Sequence, residues 1–324
     1  MRSRDVSWIL GPTTMYGTLV KPEGPGPFPG VAFVAGSGPT DRDWNSPLLP
    51  GTNGSGRLLA EALAEAGIAS IRYDKRASGP HVRETIPLLI GQMSMRSHLD
   101  ELIGAVHVLA GEDDIRDDRI VGLGNSEGTL HVLNYALSDS QPPFAGLILA
   151  APPGRMVGDV ARAQLAAQAA ALPNGDELMG LFDASIARFE AGEPIVPDPA
   201  LPEGVRNLLL ALENPANLPF ARELWTADAA QPLSRVRVPV LVVIGKKDVQ
   251  VDWQADGQAL ERAAGAHENV SFLFPENANH VLKYEPRPRV ELEQAGGVTN
   301  YNSADTHLDS ETVSALVAWL RARL

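Results

Sequence analysis

The chain has 324 residues, enough to bury a substantial core without disulfide or metal staples. Its net charge of −13 is spread along the whole length, which argues against a broad phosphate-binding surface and hence against nucleic acid as a partner. With no cysteine, the chain has no disulfides, thiolate metal sites, iron–sulfur clusters or thiol nucleophiles.

Met1 to Leu10 lacks the apolar run of a signal peptide, and the apolar runs at Val238–Ile244 and Ala145–Ala151 fall far short of the about eighteen residues of a membrane span. The expectation is a soluble, cytoplasmic protein. Val6–Leu10 and Met15–Val20 flank Gly11-Pro12 and read as a hairpin; a Pro/Gly cluster then leads into Val31-Ala32-Phe33-Val34-Ala35. That run is continuously apolar, as a strand covered on both faces would be. Next come a helix over Leu58–Ala66, with Ser55 as its expected cap, and a strand over Ile68–Tyr73. Met95–Leu109 reads as a helix, Ile120–Leu123 as a strand, Glu127–Leu137 as a helix and Gly146–Ala150 as a strand. This is the rhythm of a parallel sheet with helices on both faces.

The rhythm stops after Ala151-Pro152-Pro153-Gly154. Residues 155–230 hold helical stretches at Val160–Leu172 and Glu177–Glu190, broken by prolines, with no convincing strand. They are read as a helical insertion in one core made of 1–154 and 231–324. Alternation resumes with a strand at Val240–Ile244, a helix at Trp253–Ala264, a strand at Val270–Phe274 and a closing helix at Glu311–Leu324. The polar segment Pro286–Asp309 reads first as a plain surface loop, with a pocket rim or a subunit contact as the alternatives.

Gly124-Asn125-Ser126-Glu127-Gly128 is a G-x-S-x-G placed directly between a strand and a helix. Small residues two before and two after the serine are what a sharp strand-to-helix turn requires, because larger side chains would collide with its neighbours. A serine hydroxyl needs a base, and the base an orienting acid. Asp248 follows the strand Val240–Ile244 and His280 follows Val270–Phe274, so all three residues leave carboxyl ends of strands. Asp252 is read instead as a helix cap, His98, His107 and His131 as packing residues on helical faces, and His307 as a rim residue. An acyl-transfer site also needs two N–H donors for the oxyanion. Glu127 supplies one, and Ser37, in the glycine-rich loop after Ala35, the other. Asp41, Arg42 and Asp43 are expected to lock that loop. With no H-E-x-x-H, Walker or dinucleotide motif, no metal and no cofactor are expected.

From Val31 to the final helix the chain resembles the α/β-hydrolase superfamily. Gly36-Ser37-Gly38-Pro39-Thr40-Asp41-Arg42-Asp43 and Arg72-Tyr73-Asp74-Lys75-Arg76 look like a branch of serine carboxylesterases related to dienelactone-hydrolase and acyl-peptidase-like groups. That branch often carries His-Gly where Ala35-Gly36 stands here; a backbone donor leaves the chemistry intact. The resemblance implies an α/β-hydrolase fold, a mostly parallel central sheet flanked by helices, with a helical cap between the sixth and seventh core strands. The expected function is a serine esterase acting on small to medium hydrophobic acyl groups through Ser126, Asp248 and His280. Met156, Phe182, Phe189, Leu224 and Trp225 are candidates to line the pocket. The same triad also serves peptide or amide, thioester and carbon–carbon bonds, and the fold also serves silent small-molecule receptors. The partner is then a small-molecule ester, and the oligomeric state is left open.

Overall fold

The computed structural model describes residues 1–294 and 300–324. Strands β1 (Arg2–Leu10) and β2 (Thr13–Lys21) pair antiparallel around Gly11, whose φ of 56° suits a tight turn. They are followed by β3 (Phe28–Val34), α1 (Ser55–Glu65), β4 (Ala69–Tyr73), α2 (Val82–Leu89), α3 (Met95–Ala110), β5 (Ile115–Asn125), α4 (Gly128–Leu137) and β6 (Gly146–Ala150). Helices α5 (Val157–Ala169), α6 (Gly175–Glu190), α7 (Glu203–Leu212), α8 (Phe220–Trp225) and α9 (Ala230–Leu233) come next. The chain closes with β7 (Val240–Val243), α10 (Ala255–Ala264), β8 (Val270–Leu273), α11 (Arg289–Gln294) and α12 (Ser310–Arg321).

Among the described residues the eight strands form one sheet in the order β1-β2-β4-β3-β5-β6-β7-β8, and β3 to β8 run parallel. The order reverses between β4 and β5, so the carboxyl ends of β3, β4 and β5 meet at one edge, where such sheets place their sites. Side chains of each central strand alternate between two cores. Ala32, Val34, Val240 and Val242 pack with α3, α4, α9 and α10, whereas Val31, Phe33, Leu241 and Val243 pack with α1 and α12. Both faces are dry, which is why these strands read as unbroken apolar runs. Each buried Val, Leu or Phe in them contributes about 1.5–3 kcal/mol of burial free energy.

The segment between β6 and β7 is helical, with an apolar cluster of its own built from α6, α7 and α8: Leu178, Phe182, Ile186, Phe189, Leu209 and Trp225. Pro202 and Pro219 stand in the cap positions of α7 and α8, so these prolines begin helices as well as end them. Helices α2, α7 and α11 are not apparent from the sequence pattern. Strand β5 starts at Ile115, earlier than its apolar part, because Phe28 pairs with Ile115 across a register shift that the polar stretch Arg116–Arg119 disguises. Ser55 does not cap α1. Gly54 holds that position, and Ser55 Oγ is buried without a partner among the described residues.

Asp256 ties the start of the helical segment to the core. Fully buried at the head of α10, it accepts from the Arg155 N–H, from Arg155 Nε (3.0 Å) and Nη2 (2.8 Å), and from the Asp252 N–H. Asp256→Ala removes all of these acceptors, and its unfolding free energy in urea is expected to fall by about 3 kcal/mol. A loss within the roughly 0.5 kcal/mol of an ordinary surface substitution would show that the fork does not hold the segment.

Candidate active site

Strand β5 ends in a turn that no other sequence at 124 and 128 would permit. A Cβ on Gly124 would lie 2.3 Å from the Gly128 backbone, and one on Gly128 would lie 2.4 Å from the Val34 carbonyl oxygen. Between them Ser126 adopts φ 54°, a left-handed conformation costly for a side chain with a Cβ. It is held there by backbone bonds: the Ser126 N–H donates to the Ala150 carbonyl at 2.8 Å, and Thr129 donates to the Ser126 carbonyl through its N–H and, at 2.6 Å, its hydroxyl. The Ser126 side chain is half-buried at the carboxyl edge of the sheet, at the amino end of α4.

Asp248 and His280, the candidate acid and base, lie in contact. Asp248 is fully buried, and its Oδ1 accepts from the N–H groups of Gln250 and Val251, leaving Oδ2 to accept from His280 Nδ1 at 2.8 Å. A carboxylate oxygen only accepts, so in this bond Nδ1 is the donor. Asn125 links this pair to the turn, since its side-chain amide donates to the His280 carbonyl at 3.0 Å. The Tyr301 ring stacks on His280 with centroids 6.4 Å apart, and burial raises its phenol above the usual range. Asp252 bonds the Gln254 and Ala255 N–H groups and pairs with Arg289, the capping role expected of it.

The segment after His280 is more than a surface loop. Tyr301 and Asn302 are buried, and the Lys283 ammonium, also buried, donates to the carbonyls of Asn53 and Tyr301 and to Thr306 Oγ1. Burial, with Arg57 nearby, pulls that lysine down to about 8. Residues 295–299 of the segment lie outside the described residues.

Ser37 is exposed and Glu127 is buried; neither backbone N–H has a hydrogen-bond partner among the described residues. Gly36 lies against the serine, since a Cβ there would sit 3.2 Å from Ser126 Cβ. Asp41, Arg42 and Asp43 lock the loop: Arg42 forks onto Asp74, Arg72 pairs with Asp43, and Asp41 accepts from the N–H groups of Asp43 and Asn45.

The five expected pocket residues separate. Phe182, Phe189 and Trp225 are packed into the helical segment's own core, with Phe189 and Trp225 edge to face, so they have little surface left for a substrate. Met156 is half exposed before α5, and Leu224 packs partly buried against the main core. A cleft of about 500 Å³ lined by Trp8, Leu10, Asp100, Ile103 and His107 lies between β1 and α3 and contains none of the site residues.

Behind the serine lies a charged network that sequence reading missed. Lys75 Nζ donates to Glu127 Oε1 (2.6 Å) and to the Gly36 carbonyl (2.7 Å), and His131 Nε2 bonds the same Glu127 oxygen at 3.1 Å. Alongside it, Glu101 accepts from Arg76 Nε at 2.8 Å and bonds His98 Nδ1 at 3.1 Å, while the rings of His98 and His131 lie 4.7 Å apart. Burial pushes both glutamates up, but their cationic neighbours outweigh it: Glu101 falls to about 2 and Glu127 lies well below the usual carboxylate range. Burial lowers His131 to about 4, so it is neutral at pH 7 and donates from Nε2. His98, Glu127 and His131 offer ligand atoms within 4.8 Å of one another, but the Glu127 carboxylate is already neutralised by Lys75, whose charge would repel a divalent cation. The sequence signal for this network is the charged run Asp74-Lys75-Arg76 just past the strand Ile68–Tyr73.

His131 titrates near 6.5 when unfolded and near 4 when folded, so the unfolded chain binds the extra proton between these values. Its contribution to stability is present above pH 6.5 and lost as the pH falls through 4. The thermal midpoint should therefore drop across this window, and His131→Gln, which keeps a donor to Glu127, should flatten that drop. An unchanged slope in the variant would exclude His131 as the titrating group.

No helix of the described residues is long and apolar enough to cross a membrane. Esterase EstD of Thermotoga maritima is 28% identical over 268 residues, 82% of this chain and 57% of that protein, so the chain spans less than two thirds of this relative's length. An esterase of Pyrococcus furiosus aligns over 99% of this chain and 91% of its own, with a TM-score of 0.56 at 16% identity. A proline iminopeptidase of Mycobacterium smegmatis aligns over 99% and 98%, also with a TM-score of 0.56 at 16% identity. At such identities these two structures speak for the fold alone. Residues 31–295, most of the chain, match the model of the Alpha/beta hydrolase family, and with the fold just described the chain belongs to that family.

Proposed function

We propose that the chain is a serine hydrolase that cleaves carboxylic esters through an acyl-enzyme, with Ser126, His280 and Asp248 as its triad. The observation that carries this reading is the buried 2.8 Å bond from His280 to Asp248, tied by Asn125 to a serine with φ 54° on a strand-to-helix turn. A fold that served only as a receptor would gain nothing from holding an acid, a base and a strained serine at three strand ends. Likeness to Esterase EstD supports ester over other acyl substrates.

In this reading Ser126 Oγ attacks the ester carbonyl while His280 Nε2 takes its proton, and Asp248 holds the imidazolium that forms. The backbone N–H groups of Glu127 and Ser37 hold the tetrahedral oxyanion. The C–O bond to the alcohol breaks as His280 returns the proton to the leaving oxygen. Water then attacks the acyl-serine by the same route, releasing the acid and restoring Ser126. None of these steps calls on a cofactor or a metal. Residues 155–230 act as a cap over this edge, favouring small to medium hydrophobic acyl groups. Phe182, Phe189 and Trp225 contribute by giving the cap a rigid core, and Met156 and Leu224 are the remaining lining candidates.

A fluorophosphonate probe should label Ser126 in the folded protein. Ser126→Ala and His280→Ala should each lower kcat on p-nitrophenyl butyrate by about 10⁴-fold or more with little change in the unfolding midpoint. Full activity in either variant would overturn the triad. Rates on the ester, an acyl-amino-acid amide and an acyl thioester compared side by side test the bond class; negligible ester turnover beside efficient cleavage of another substrate would reject the esterase reading.

A further inference from the structure

The two candidate oxyanion donors come from different parts of the chain, the loop after β3 and the turn after β5. One ammonium group reaches both. Lys75 leaves the end of β4, is almost completely buried, and donates to the Gly36 carbonyl at 2.7 Å and to Glu127 Oε1 at 2.6 Å. The Gly36 carbonyl and the Ser37 N–H are opposite ends of one planar peptide unit. Fixing the oxygen fixes the direction of the N–H, and a cation on the oxygen polarises the amide and strengthens its donor. Glu127 is the residue whose own N–H is the second donor. Gly36 in turn lies against Ser126, so the oriented peptide stands beside the reacting oxygen.

We infer that Lys75 is a positioning residue that sets the oxyanion hole, aligning the Gly36–Ser37 peptide and the Glu127 turn through a single buried ammonium. This rests on the serine-hydrolase reading above. Stability alone is a weak reason for such a pair, because an apolar pair of similar volume in a buried position is often as stable as an ion pair. A lysine also fits this role better than an arginine would, since a compact charge with three donors can serve a carbonyl and a carboxylate lying in different directions. Thr40 Oγ1 holds the Ser37 carbonyl at 2.8 Å, which belongs to the next peptide, whereas the Gly36–Ser37 peptide is held through its own oxygen by Lys75.

The test compares the full-length wild type with Lys75→Met/Glu127→Gln on p-nitrophenyl butyrate, with both charges removed together so that none is left buried alone. The double variant should lose about 10²-fold in kcat with KM within about threefold, the signature of a contact made only to the transition state. Its affinity for a trifluoromethyl ketone, whose adduct presents the oxyanion, should fall by a similar factor. If the double variant does not fold, Lys75→Gln/Glu127→Gln takes its place. A folded double variant with kcat within threefold of wild type, or one losing KM and kcat together with unchanged ketone affinity, overturns the inference. Ser126→Ala run in parallel keeps the two readings apart, because ester turnover that survives it sinks the triad whatever Lys75 does.

Discussion

Three glycines from two strand ends converge on Ser126, and the space they leave is the constraint on which the site depends. Gly124 and Gly128 allow β5 to fold directly into α4 against the end of β3, and Gly36 allows the loop after β3 to pass beside the serine. In that space the backbone at 126 has only one course. The left-handed conformation costs about 1–2 kcal/mol, the order given by the handedness of L-residues, and it persists because bonds to Ala150 and from Thr129 leave it no alternative. The strain is thus held by the sheet rather than by the loop. The Ser126 side chain is positioned by β5, β6 and α4 together, and any element that disturbs their packing disturbs it.

Much of this arrangement was legible in the sequence, for reasons that differ from element to element. Strands such as Val31–Ala35 and Val240–Ile244 stand out because both their faces are buried, so no polar residue interrupts them. Ser126, Asp248 and His280 stand out as candidates because each follows the carboxyl end of a strand, and a nucleophilic serine would need both a base and an acid. The less visible parts are those decided by tertiary packing. Phe182, Phe189 and Trp225 have the composition of a pocket wall, and only the fold of α6 to α8 shows that they face one another. Helices that begin on Pro202 and Pro219 look like broken helices when read along the chain.

The charged network was hidden for a related reason. Glu127 and His131 are four residues apart, and His98 and Glu101 three, the spacings of ordinary pairs on an exposed helix face. Nothing local distinguishes such pairs from buried ones. What buries them is the packing of α3 against α4, and what makes burial tolerable is the arrival of Lys75 and Arg76 from the end of β4. The two buried ion pairs join the end of β4 to α3 and to the start of α4, so the whole network closes only when all three elements have met. Its charges discriminate between the native packing and near alternatives, in which a glutamate would be buried without its cation.

Lys283 plays a comparable part at the other end of the site. Its ammonium gathers oxygens from Asn53, Tyr301 and Thr306, drawing three irregular stretches around the loop that carries His280. Loop-rich proteins commonly recruit a calcium ion for this task, since a small cation with oxygen ligands imposes order where there is no helix or strand ladder. Here the cation is covalently part of the chain. The order around His280 is therefore inherited at synthesis rather than acquired from the medium, and it neither waits on the supply of a dissolved ion nor is lost to a chelator.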